Sequence, residues 1–344
     1  MLDYRFRVTK YDPRLRNESG AFIGDDWTCI SEIGQVFDGQ VLTRERYEQV
    51  EAAYLKAVEL FAQESGITEL AVRTPLFGRD FAPGPLLPGY GPATSGLLAE
   101  EFYDGRQVSL AAGLELVRAM LREDGVWCRL EAEGRFSAEV GWDYYLYVNS
   151  HQPCSQAVDQ GHRLGLFVEE DFISPYDLDL EDPTPYRSAD ERFWAEVELL
   201  AAQTGGELPL LEMWAYNTWR WHLVTLGTGI ARVRAALKPR ALVTAFIGAP
   251  LEVSDSGMGE IAEQARLLLD ADSSVVGVMC LIEDRDTGRL RHDYLLDDDD
   301  LSAWLDAARK ADRCGVYPVD AVDQLGALVA VLPDEDGIVR ARWE

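Results

Sequence analysis

Hydrophobic and polar positions alternate along several short stretches of the chain, and elsewhere they repeat every three or four residues. Alternation predicts β-strands with one buried face, whereas the longer spacing predicts amphipathic helices. In the first stretch, residues 4–11, one face carries Tyr4, Phe6 and Val8, and the other carries Arg5 and Arg7. We therefore expect an opening strand that packs one face on a core.

Helical spacing is clearest after Thr43, a residue type that often caps helix N-termini. The apolar stripe of this long helix consists of Tyr47, Val50, Tyr54, Val58 and Phe61, and Ser65-Gly66 ends it. A second helix is predicted after Ser109, and the second half of the chain restarts with a helix over 191–203. Further helices are predicted over 230–237, 258–269 and 301–310.

Strands are predicted over 67–74, 126–132, 136–140, 164–169, 219–225 and 241–247, with hairpins joining 274–283 to 290–296 and 327–332 to 338–343. The stretch Gly141–Val148 is rich in aromatic residues, which favour strands. We expect it to form one strand with Trp142, Tyr144 and Leu146 on the core face. The opposite face then carries Asp143, Tyr145 and Tyr147, as a hydrogen-bond network or as a recognition surface.

These patterns predict an α+β fold with two domains, each with a mainly antiparallel sheet and packed helices. The N-terminal domain covers 1–176 and contains a proline- and glycine-rich insertion at 75–105, which is too apolar for a simple linker. An acidic, proline-containing linker covers 177–190, and the C-terminal domain covers 191–344. The sequence contains no glycine-rich turn between a predicted strand and a predicted helix. A doubly wound nucleotide-binding fold is therefore not favoured.

Charge and composition exclude several classes of function. The formal net charge of −28 argues against binding to nucleic acid or to an anionic membrane, because phosphate contacts need a basic patch. The opening residues lack the basic-then-apolar layout of a signal peptide, and no apolar run is long enough to span a membrane. The five cysteines are scattered and contain no C-x-x-C pair, which is typical of reduced thiols. We therefore expect a cytoplasmic protein.

No motif for chemistry emerges from the sequence, and we predict neither a metal nor a cofactor. His151, Cys154 and His162 match no common metal site, and ordinary polar roles explain them better. The acidic run 297–300 precedes a predicted helix, where negative charge opposes the helix dipole without any cation. Without a nucleophile or metal set, binding is favoured over catalysis.

Aromatic and acidic residues are the candidates for a binding surface. Tyrosine and tryptophan are enriched at interface hot spots, and acidic patches steer basic partners. The predicted partner interface consists of Trp27, Asp143, Tyr145, Tyr147, Glu169, Glu170, Asp171, Asp177 and Asp179.

Four local phrases resemble an uncharacterised bacterial family of immunity-like proteins: residues 10–13 (Lys-Tyr-Asp-Pro), 26–34, 141–147 and 174–176 (Ser-Pro-Tyr). The chain departs from this pattern at Cys29 and Glu32, where we expect serine and aspartate. The resemblance covers the first half only and brings no catalytic motif. It implies neutralisation of a toxin, often a basic nuclease.

The sequence thus predicts an acidic binding protein, an immunity protein or inhibitor that occludes the active site of a basic partner. Two alternatives stay open. The chain could be an enzyme with an unrecognised site between its domains and the 75–105 insertion as a lid, or an adaptor in a bacterial defence assembly. The sequence specifies no oligomeric state.

Overall fold

The computed structural model describes residues 2–18, 20–78, 99–170, 172, 186–227, 229–248, 251–269, 275–295, 298–320 and 327–343. The fold is α+β with mainly antiparallel sheets, which confirms the predicted fold class. The chain divides into two compact units: the first contains Met1–Thr184, Trp214–Thr218 and Ala341–Glu344, and the second contains Pro185–Met213 and Trp219–Arg340. No helix within the described ranges is long and apolar enough to cross a membrane.

Strands of the first unit are β1 (Tyr4–Thr9), β2 (Val36–Phe37), β3 (Gln40–Val41), β4 (Glu69–Phe77), β5 (Gln107–Ser109), β6 (Val126–Ala132), β7 (Phe136–Val140), β8 (Leu146–Ser150) and β9 (Phe167–Glu170). Strands β2 and β3 form a small hairpin, and the other seven form one sheet in the order β5-β4-β6-β7-β8-β1-β9. Every pairing resolved within this sheet is antiparallel.

Helices α1 (Arg44–Glu64), α2 (Leu110–Leu121) and α3 (Ser155–Arg163) pack side by side on this sheet, with α1 between the other two. Thr43 and Ser109 cap α1 and α2 as predicted, each accepting a backbone N–H of the first turn. The ring of Phe6 in β1 lies 4.9 Å from that of Phe61 in α1. A Cβ on Gly113 would come within 2.9 Å of Leu70, so glycine lets α2 approach the sheet closely.

The aromatic stretch Gly141–Val148 is not one strand, which corrects the prediction. Strand β7 ends at Val140, residues 142–144 form a turn of 3-10 helix, and β8 begins at Leu146. Asp143 and Tyr144 have φ angles of 54° and 62°, in the left-handed region that β-strands exclude. This turn reverses the predicted orientation of Trp142, whose side chain is 79% exposed.

The remaining strands are β10 (Arg187–Ser188), β11 (Glu207–Ala215), β12 (Thr218–Thr225), β13 (Leu242–Phe246), β14 (Glu252–Val253), β15 (Val275–Glu283), β16 (Leu290–Leu295), β17 (Arg313–Asp320) and β18 (Ala327–Val331). They form two sheets, in the orders β10-β18-β13-β11-β12 and β14-β17-β15-β16. The helices of this part are α4 (Glu191–Gln203), α5 (Gly229–Ala236), α6 (Ser254–Leu269) and α7 (Asp298–Ala308).

The second unit has four layers. Helices α4 and α5 pack on the first of these sheets through a cluster that includes Phe193 and Val233, and α6 and α7 pack on the second through a cluster that includes Ile261 and Trp304. Between the sheets lies an apolar layer, the intersheet layer, which consists of Phe246, Leu251, Met279, Leu281 and Tyr317, with Leu211, Trp221, Leu223, Leu290 and Ala327 packed against it.

Three boundaries differ from the prediction or lie outside the described ranges. Within the predicted linker 177–190, residues 177–185 lie outside them, while Arg187–Ser188 pairs in parallel with β18 and Asp190 caps α4. Most of the predicted insertion, residues 79–98, is also outside. Residues 338–343 form no strand, because β18 pairs with β10 and β13 instead of closing a terminal hairpin.

Candidate binding site

A line of charged side chains crosses the sheet of the first unit on the face opposite the helices. Cross-strand pairing aligns, from β4 to β9, Arg73, Arg129, Glu139, Tyr147, Arg7 and Glu169, which we call the charged row. Arg129, Glu139 and Tyr147 are buried. Because burying a charge costs free energy unless it is paired, the charged members of this row depend on partners within the fold.

Glu169 is the centre of the best-connected part of the charged row. Its two carboxylate oxygens accept the Nε–H and Nη2–H of Arg7, each at 3.0 Å. Arg16, from the loop after β1, donates through Nη1 to the same carboxylate at 2.6 Å. Two guanidinium groups therefore share one carboxylate, which leaves a local excess of positive charge in a strongly acidic chain.

This arrangement also sets the pKa of Glu169. Burial raises the pKa, but the hydrogen bond from Arg16 and the charges of Arg7 and Arg16 lower it by more, so it lies below its ordinary value. The hydrogen bond to Glu169 raises the pKa of Arg16, and the Tyr145 phenol acts in the same direction. The carboxylate is therefore ionised at neutral pH.

Aromatic rings lie against the guanidinium group of Arg7. The guanidinium carbon of Arg7 lies 3.6 Å from the centre of the Phe172 ring and 5.6 Å from that of Tyr145. Tyr147 stacks on Phe172 with ring centres 5.9 Å apart. The predicted residues Tyr145, Tyr147 and Glu169 thus come together, although Tyr147 is buried and Glu169 is paired within the chain.

The turn between β7 and β8 exposes the largest apolar side chain of this unit's surface, that of Trp142. Asp143, beside it, is exposed too, while Tyr144 points into the core. The Tyr144 hydroxyl lies 2.5 Å from the Tyr47 hydroxyl and 2.9 Å from the carbonyl oxygen of Leu121. Buried contacts therefore hold a turn whose tip is open to solvent.

Trp27 belongs to the support of this turn, not to its surface. Its side chain is 1% exposed, which corrects the prediction that it lies at an interface. The Trp27 ring contacts Tyr144 edge-on at 5.0 Å and lies 5.4 Å from Tyr47. Tyr54 also contributes, since its hydroxyl donates to the Tyr144 carbonyl oxygen at 2.7 Å. The sequence predicts Trp142 in the core and Trp27 at the surface, the reverse of their exposure in the structure, because Trp142 is assigned to an alternating strand that does not form.

Lys10 is unusual because its charged side chain lies against aromatic rings, including that of Trp27. Its ammonium group lies 2.7 Å from Asp26 and sits over the rings of Tyr11 and Trp27, at 4.2 and 4.1 Å. Burial lowers the pKa of Lys10 to about 8, although the hydrogen bond and charge of Asp26 oppose the shift. The cation is thus held at a cost by one carboxylate and two aromatic faces.

The second unit carries a separate aromatic group around His292. Trp221 donates its Nε1–H to His292 Nδ1 at 3.0 Å, and Trp219 and Tyr294 lie 5.4 and 5.2 Å from the imidazole. Burial lowers the pKa of His292, against the charge of Asp293. An indole N–H therefore orients the imidazole of His292 through its Nδ1 atom.

The remaining predicted interface residues fall into two groups, those that are exposed and those outside the described residues. Asp143 and Glu170 are exposed, whereas Asp171, Asp177 and Asp179 lie outside the described residues. Within the part of the chain that the structure describes, no group of three histidine, cysteine or acidic side chains could hold a metal ion. The residues missed by the sequence reading are Arg7 and Arg16 as partners of Glu169, although the basic face of β1 was a usable signal.

Comparisons of this chain with protein-family models, with curated proteins and with solved structures found no match. The resemblance to immunity-like proteins therefore stays a prediction, based on its local phrases.

Proposed function

We propose that this chain is an acidic cytoplasmic binding protein that captures a basic protein and blocks its active site, as an immunity protein does with a toxin. One observation carries the proposal: Trp142, 79% exposed, stands beside the exposed Asp143 on a turn anchored from below. A large exposed aromatic side chain next to an acid suits the centre of an interface with a basic partner.

Rigidity of the turn supports this role. Left-handed φ angles at two consecutive residues other than glycine are costly, and they persist only where surrounding contacts enforce them. Here the Tyr144 ring and hydroxyl supply those contacts. An anchor that is held before binding loses less conformational entropy when a partner arrives.

Charge and sequence support the choice of partner. A net charge of −28 attracts a basic protein and accelerates its association at low ionic strength. The turn also falls within residues 141–147, one of the phrases that resemble immunity-like proteins. Together these features favour a toxin as the partner over a neutral or acidic protein.

The test is affinity capture from a lysate of the native organism with the wild type, Trp142→Ser and Trp219→Ser. Trp219, 46% exposed on the second unit, is the matched control. We expect the wild type and the control to retain one basic protein at low salt, and Trp142→Ser to bind it about thirtyfold more weakly (~2 kcal/mol). High salt should slow its association.

A captured protein must then be toxic on its own and be silenced by the wild-type chain. Equal retention by Trp142→Ser and the wild type would contradict the proposed surface. A stable complex with a host protein that is not a toxin would instead favour the adaptor alternative.

A further inference from the structure

Arg16 has two donor atoms, Nε and Nη2, from which no described residue accepts a hydrogen bond. Its side chain is only 8% exposed, and Nη1 is engaged by Glu169. Its Nε and Nη2 atoms are buried and have no hydrogen-bond partner among the described residues. A buried donor without an acceptor destabilises the folded state, and more so when the group is charged. An arrangement this costly points to an acceptor that the described residues do not supply.

The unused atoms form one edge of the guanidinium group. Nε–H and Nη2–H point in parallel, and this is the edge through which arginine binds two oxygens of a single carboxylate or phosphate. Arg7 uses the same edge, Nε and Nη2, to hold Glu169. The structure therefore contains one filled and one unfilled copy of the same two-oxygen site.

Glu169 does not satisfy the second copy, because it already accepts three N–H groups from the two arginines. The two positive charges of Arg7 and Arg16 face this single negative charge, so an additional anion is electrostatically favoured. The Tyr145 phenol interacts with the Arg16 side chain, and its hydroxyl can also donate a hydrogen bond.

We propose that the Nε/Nη2 edge of Arg16 binds a small oxyanion, the carboxylate or phosphate group of a small molecule. The two oxygens of the anion accept Nε–H and Nη2–H, and the Tyr145 hydroxyl donates to the same group. This site is independent of the Trp142 surface, so either proposal can fail without the other.

The first experiment titrates the full chain with inorganic phosphate and, separately, with acetate, at ionic strength held constant with sodium chloride. Heat of binding is measured for the wild type, Arg16→Gln, Arg16→Lys and Arg14→Gln. Arg14 is the matched control, because its side chain is 86% exposed and pairs with Asp12. We expect saturable binding by the wild type and the control, and at least tenfold weaker binding by both Arg16 variants.

Arg16→Lys keeps the positive charge but lacks the two-donor edge. Weaker anion binding by this variant would therefore show that binding depends on the geometry of the guanidinium group and not on charge alone. Binding of phosphate alone, acetate alone or both identifies which oxyanion shape the edge accepts. The proposal is overturned if neither anion binds, or if Arg16→Gln binds as the wild type does.

A second measurement covers the case in which the Arg16 variants do not fold. In wild-type protein labelled with 15N-arginine, the Arg16 Nε–H signal should shift on addition of phosphate or acetate and saturate, while the Arg14 signal stays in place. An Arg16 signal unmoved by both anions rejects the site without any variant.

Discussion

The charged row of the first unit and the intersheet layer of the second unit both lie on sheet faces and are largely buried. Charged and polar side chains form the first, and apolar side chains form the second. In the charged row, Arg7 pairs with Glu169 and Arg73 pairs with Glu131, each across neighbouring strands. The intersheet layer is filled by side chains such as Phe246, Met279 and Leu281. One sheet face is therefore buried mainly with paired charges and the other with apolar contacts.

This difference predicts which substitutions should change the free energy of unfolding at each face. Apolar burial is proportional to area and indifferent to direction, so the intersheet layer should respond to volume and hardly to charge. Paired charges depend on partner and geometry, so the charged row should respond to a single lost charge and to pH. Substitutions that keep size but change charge distinguish the two.

The largest effect is expected from Leu281→Ala in the intersheet layer. Leu281 is fully buried, and its truncation loses transfer free energy and leaves a cavity, together about 3 kcal/mol of the free energy of unfolding. Denaturant titration of both proteins measures the difference. Leu267→Ala, at an exposed position, is the control and should cost under about 0.5 kcal/mol. A loss below 1 kcal/mol for Leu281→Ala would mean that the layer is loosely packed.

A smaller effect is expected from Glu169→Gln in the charged row, a change that keeps the size of the side chain. Arg7 and Arg16 lose their shared anion, which should cost about 2 kcal/mol, less than for a fully buried pair because Glu169 is half-buried. The neighbouring Glu170→Gln is the control, since Glu170 is exposed. Equal stability of the two variants would show that the pairing contributes nothing.

The same variant predicts a pH dependence. The pKa of Glu169 is lowered in the folded state, so its contribution to stability is complete above the unfolded value of about 4.3 and is lost as the pH falls through the folded value. The difference between the wild type and Glu169→Gln should therefore shrink below pH ~4. For Leu281→Ala the difference should not change in this way.

Sequence patterns predicted the helices and most strands because their periodicity and caps are local. The helix after Thr43 is confirmed, since its stripe and cap both lie within the segment. Strand β17 was missed because Gly315 and Pro318 weaken the strand signal, although this strand pairs along the whole of β15. The aromatic stretch misled because contacts with Tyr47 and Leu121, distant in sequence, hold Tyr144 in a left-handed turn.

The candidate site was less predictable, and for a related reason. Tyr145, Tyr147 and Glu169 were singled out by residue type, but their partners Arg7 and Arg16 come from the start of the chain. Pairing of β1 between β8 and β9 brings them together, and alternation within one strand contains no such information. Which tryptophan faces solvent likewise depended on the turn after β7.

The smallest effect concerns Lys10, a charge held among aromatic rings at the end of β1. Because its pKa falls to about 8 in the folded state, below the unfolded value of about 10.4, the unfolded chain holds more protons between these values. The free energy of unfolding should therefore rise as the pH increases, by about 1 kcal/mol between pH 8 and pH 9. Denaturant titrations at both pH values should show that Lys10→Met loses this rise, while Lys56→Met, at a half-exposed position on α1, keeps it. If the free energy of unfolding of Lys10→Met still rises between pH 8 and pH 9, the rise comes from another group than Lys10.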